Sequence, residues 1–273
     1  NQDRDAAIIT PAPTRTATQA TTLGRKYAQP AKAAARDIAA TDAGGRKPNE
    51  EKIKLLASAS VKQKDMAGYS SALETMLKYY PKKEYWADAI QRTAAKPGFS
   101  DRLVLDMYRL LRATGTLEGS KDYMEMTQLA MQAVLPGEAQ AIVNEGYAKK
   151  SLGEGADASR HARLKALVEN KIAQDKKELA ASDAAIAGAA SGDPLLKSGL
   201  AYVTYGDAAK GLPLMEQGLK KGGLKKADEA KLHLGYAYYV AGQKDKAVQI
   251  FKTVSGKDGS ADLARLWILV CSR

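Results

Sequence analysis

The chain has 273 residues, room for two compact domains or one elongated array, and only 6% of them are aromatic, which makes helix the default over strand. One cysteine rules out an intramolecular disulfide and any cysteine-based metal cluster, and no run approaches the ~18 consecutive apolar residues of a membrane span. The 42 Lys and Arg against 31 Asp and Glu give a formal charge of +11, which concentrates anionic partners near the surface without identifying one.

Residues 1–48 read as an extended or partly disordered N-terminal arm, because Thr10-Pro11-Ala12-Pro13-Thr14 and the Thr/Ala/Gln stretch that follows offer few apolar anchors. Its one helical run is Ala31 to Ala40, before Gly44-Gly45. The chain opens at Asn1 with no signal pattern, so a mature exported form, periplasmic or secreted, is expected over a cytoplasmic one.

From Asn49 onward the pattern changes to helices of about a dozen residues, parted by Lys96-Pro97-Gly98, Gly115, Pro136-Gly137, Gly153-Glu154-Gly155 and Gly222-Gly223. Ser100-Asp101 marks the start of a helix running from Arg102 to Ala113, and Asp193-Pro194 places Pro in a first helical turn. Between 163 and 192, Leu164, Leu167, Val168, Ile172 and Leu179 form an amphipathic helix that runs into the Ala-rich 180–190. Gly188 and Gly192 weaken that run, so a soft boundary is expected near Asp193. Residues 49–192 thus read as degenerate hairpins ending in a long helix, and 193–273 as regular hairpins with a closing helix at Ala261 to Cys271. Within that last helix, Cys271 is expected to be a buried thiol.

Self-similarity is sharpest at the C-terminal end. Gly199, Tyr202, Gly206, Gly211 and Met215 are matched by Gly235, Tyr238, Gly242, Ala247 and Phe251, each pair 36 residues apart. Gly146, Gly153, Ala158 and Ala162 repeat the same internal spacing, and Ser60, Tyr69, Ala72, Met76 and Tyr79 give a looser copy. The small residues allow two helices to cross closely, and the large ones fill the space beside the crossing.

On these residues the chain resembles the tetratricopeptide repeat family, whose unit of about 34 residues is a pair of antiparallel helices. The resemblance implies an all-α fold, a right-handed superhelical solenoid of antiparallel helix hairpins, in which Leu263, Leu266, Trp267 and Val270 cap the array. The repeat of 36 is longer than usual. Leu195 and Lys231 stand where the family has an early aromatic, and no Pro follows Val254.

No motif for chemistry stands out. His161 and His233 lack ligand spacing, so no metal is expected. The glycine pairs follow helices instead of opening them after a strand, so nucleotide and other cofactors have no support. Glu50-Glu51 and Asp228-Glu229 fall at helix starts, where acidic residues favour the dipole. The chain therefore reads as non-enzymatic: a bacterial-type scaffold or adaptor holding a protein or peptide segment. In the resemblance, the concave groove is lined by Asn144, Tyr147 and Lys150, then Lys197, Leu200 and Thr204, then His233, Tyr236 and Tyr239. Two rival readings are a structural subunit of a larger envelope or extracellular assembly, self-associating through the arm, and a binder of nucleic acid or another anionic surface. The few aromatics among the basic residues disfavour nucleic acid.

Overall fold

The computed structural model describes residues 17–273, with side chains from residue 28. Among these the secondary structure is helical throughout, with 13 α-helices and one 3-10 turn. The chain divides into two compact units at Pro81/Lys82, a different place from the expected boundaries near 48 and 192.

The first unit contains α1 (Ala17–Ala43), α2 (Glu50–Lys62) and α3 (Met66–Tyr79), packed in sequence. The expected short helix of Ala31 to Ala40 extends back to Ala17, across Pro30. Proline's φ is helical and it forfeits one hydrogen bond, and the alanines downstream of Pro30 are strong helix formers. Residues 1–16 of the expected arm lie outside the described residues. Ala31, Ala34 and Ile38 are buried at helical spacing. Asn49 caps α2 by accepting from the Glu51 and Lys52 amides, and Asp42 ties the end of α1 to Lys78, at 2.6 Å, and to the Tyr79 hydroxyl.

The second unit runs through α4 (Lys83–Ala94), the 3-10 turn Asp101–Leu103, α5 (Val104–Thr114), α6 (Gly119–Gln132), α7 (Pro136–Ala148), α8 (Ala158–Ala187), α9 (Asp193–Thr204), α10 (Ala208–Lys221), α11 (Ala227–Val240), α12 (Lys244–Phe251) and α13 (Ser260–Cys271). The hairpin pairs α9–α10 and α11–α12 carry the two sharp repeats. A Cβ on Gly199 would overlap the Gly211 carbonyl, and one on Gly211 the Gly199 carbonyl, so both glycines let the helices touch backbone to backbone. In the next pair Ala247 and Phe251 are buried, with the Phe251 ring set against Gly235.

The third copy holds only in its turn. Gly153 takes φ +90, like Gly206 at +88 and Gly242 at +74. The residue matching Met215 and Phe251 is Ala162, which is exposed. Gly146 packs instead on Leu152 and Tyr123, because its closest partner is α6, on its N-terminal side. Further on, α8 continues unbroken through the alanine run to Ala187. It is tied to α9 by Tyr202 and Tyr205, whose hydroxyls donate to Asp183 and Asp175 at 2.9 and 2.6 Å. At the expected soft boundary, the Gly192 amide donates to the Gly222 carbonyl at 2.8 Å.

The last helix does more than cap a stack. It packs on α11 and α12 and also on α4 and α5. The Ser100 amide donates to the Asp258 carbonyl at 2.9 Å, and the Phe99 ring lies on Gly259. Lys96 pairs with Asp262 at 2.8 Å, and Arg102 with Glu229 at 3.1 Å. Trp267 is fully buried, stacked on Phe251 with centroids 5.8 Å apart. The C-terminal helix of this unit therefore meets its first two helices.

Candidate functional site

Helix α5 stands against two of the residues expected to line a groove, His233 and Tyr236. Asp106, Arg109 and Arg112 follow one another at spacings of three, which puts them on one side of that helix, and Leu105 and Leu110 anchor it in the core. Opposite stand Glu138 and Glu145, seven residues apart on α7, and His233 and Tyr236, three apart on α11.

Arg109 lies at the centre, its side chain 1% exposed. Its Nε and Nη2 donate to the two oxygens of Glu138 at 2.8 and 2.6 Å, and its Nη1 to Asp106 Oδ1 at 2.7 Å. This is the two-pronged geometry that suits guanidinium to carboxylate. The other Asp106 oxygen lies 3.1 Å from His233 Nε2. The Tyr236 hydroxyl donates to Glu138 Oε1 at 2.9 Å, and its ring sits 4.4 Å from the Arg109 guanidinium carbon. A second group continues outward: Arg112 donates to Glu145 at 2.6 Å, and the Tyr123 hydroxyl and Lys149 reach the other Glu145 oxygen at 3.1 and 2.7 Å.

Burial alone would push these carboxyls up. For Asp106 that effect is outweighed by the charges of His233 and Arg109, which hold it down at about 2. Burial likewise opposes the ionised form of Glu138, and Arg109 beside it wins, leaving its carboxyl below the usual range. The Tyr236 phenol is driven up, by burial first and by the Glu138 charge second. All three ions at the centre have counter-charges at hydrogen-bonding distance. The arrangement is equipped to fix α5 against α7 and α11.

The nine residues expected to line a groove differ in exposure. Leu200 and Tyr236 are core residues, 5% and 6% exposed. Tyr239 is half-buried, its ring 4.8 Å from Trp267, and His233 is paired with Asp106. Thr204 donates to the Ala201 carbonyl of its own helix. Tyr147 is half-buried against Gly153 with the Lys165 ammonium 4.8 Å from its ring. Asn144, Lys150 and Lys197 are exposed. Of the nine, His233 and Tyr236 are covered by the charges of α5.

Sequence reasoning missed Asp106, Arg109, Arg112, Glu138 and Glu145. The available signal was the placing of Asp106 and Arg109, a pair of opposite charge three residues apart, inside the apolar run from Leu103 to Leu111. Glu138 was hidden because Pro136-Gly137 marks a turn and an acidic residue there reads as a dipole partner. Among the described residues no group of three or more His, Cys, Asp and Glu could hold a metal ion, and no helix is long and apolar enough to cross a membrane. Comparison with protein-family models, with curated proteins and with solved structures gives no match for this chain.

Proposed function

We propose that the protein is a non-catalytic scaffold that binds another protein through the outward surface of its helical hairpins. The observation that carries this reading is the commitment of Asp106, Arg109, Glu138 and Tyr236 to one another deep in the second unit. Groups so engaged hold helices in place and leave recognition to the exterior. There Asn144, Lys150 and Lys197 stand exposed on or beside α7 and α9, and with the formal +11 they favour an acidic partner.

The repeat pairs α9–α10 and α11–α12 support a tetratricopeptide-like solenoid as the scaffold's design, with the recognition surface moved off the concave face. Lys150→Glu with Lys197→Glu in the full chain tests the reading. A partner retained by the parent and lost by the variant, with thermal unfolding unchanged, supports it. Equal retention by both places recognition elsewhere, and nucleic acid eluted from both would favour the electrostatic rival instead.

A further inference from the structure

The start of α8 borders a cleft against α6. Its first turn holds no acidic residue, and Asp157 at its N-cap makes no side-chain capping bond, although negative charge is what a helix N-terminus favours. Asp157 supplies that charge, and Arg160 follows in the first turn beside His161.

His161 is 3% exposed, and its Nδ1 accepts the Gly153 amide hydrogen at 3.1 Å. A ring nitrogen that accepts carries no proton, so neutral His161 bears its hydrogen on Nε2. That donor has no hydrogen-bond partner among the described residues. It is not sealed in either: the polar side-chain atom found buried and unpartnered among them is Trp86 Nε1, whereas His161 lines a cleft of about 550 Å³ between α6 and the start of α8. A cleft of this size lies in the range that small molecules fill.

Around His161 the cleft offers Lys121 and Arg160 as cations and Met124 and Leu129 as an apolar floor. Glu125 and Asp157 balance the cations in formal charge, which disfavours a highly charged anion. We propose that this cleft binds a small molecule carrying one oxyanion group, carboxylate or phosphoryl, whose oxygen accepts the His161 Nε2 hydrogen and faces Arg160. The rest of the ligand lies on Met124 and Leu129.

The test uses nitrogen NMR of the full chain labelled at histidine. The protein has two histidines, and His233, held by Asp106, serves as the internal reference. Titration with butyrate and separately with inorganic phosphate should move the His161 Nε2 signal saturably and leave His233 in place. Saturation by butyrate alone assigns a carboxylate with an apolar tail, and by phosphate alone a phosphoryl group. His161→Asn keeps an acceptor for the Gly153 amide and deletes Nε2, so binding followed calorimetrically should weaken about tenfold or more with the melting temperature unchanged. Arg160→Gln, at an exposed position, should weaken binding without touching the core, which keeps the test decisive if His161→Asn folds poorly. No saturable shift with either probe, an equal response at both histidines, or full affinity in Arg160→Gln overturns the proposal.

Discussion

At the Arg109 guanidinium the cost of removing one charge differs from the cost of removing all of them. Arg109→Met leaves two buried carboxylates facing each other, and a loss of about 3–5 kcal/mol is expected in urea unfolding. Replacing Asp106, Arg109 and Glu138 together with apolar residues of similar volume should recover most of that loss. If the single and triple variants were equally destabilised, the cluster would be acting through packing and not through its charges. Acid provides a second probe. Asp106, held at about 2 against an ordinary 3.8, and Glu138, held below 4.5, have folded values under their unfolded ones. Their contribution is therefore complete above about pH 4.5 and is lost as the pH falls toward 2. Stability measured by denaturant titration should be flat from pH 7 to 5 and decline below that, and Arg109→Met should lose the steepest part of this slope.

Helix pairs show where the sequence was readable. The 36-residue spacing identified Gly199, Gly211 and Gly235 as contact points, and each proves to have no room for a Cβ, because a close crossing leaves a small residue at fixed intervals. In the third copy Ala158 is half-buried and Ala162 exposed, and alanine is common both at crossings and on solvated helix faces. The charges of α5 are invisible as a cluster because their partners come from α7, 29 and 33 residues on, and from α11, 127 residues on, and no local spacing encodes such contacts. Gly199→Ala should therefore destabilise by about 1–3 kcal/mol through overpacking. Gly206→Ala meets no atoms but must keep φ +88, and should cost about 1 kcal/mol by strain alone. The α6–α7 turn offers the reverse case. Val134 is a β-branched residue held at φ +58 and 68% exposed, so Val134→Asn should raise the melting temperature, by relief of about 1 kcal/mol. A lower melting temperature in that variant would show that the exposed side chain makes a contact worth more than the strain.

For the whole second unit, the decisive feature is that α13 touches α4 and α5 as well as α11 and α12. An open stack of repeats loses one interface when its last helix is removed, and the rest remains folded. Here truncation after Gly259 would uncover Trp267's neighbours Phe251, Tyr236 and Tyr239 and also the far side of α5. We expect cooperative unfolding of α4 through α12 in that truncation, read as loss of helical circular dichroism well beyond that of the 12-residue helix removed. A loss confined to the deleted helix would mean that the repeats are stable without closure.

The α11 partners of α5 also emerge late from a ribosome. Asp106 precedes His233 by 127 residues, and synthesis at roughly 5–20 residues per second puts about 6–25 seconds between them. During that interval α5 and its apolar run are without α11. Asp106, Arg109 and Arg112 then give the waiting helix a hydrated, charged face. The same residues that are costly to bury at the end oppose, by their hydration and charge, association of α5 with other chains while α11 is still absent.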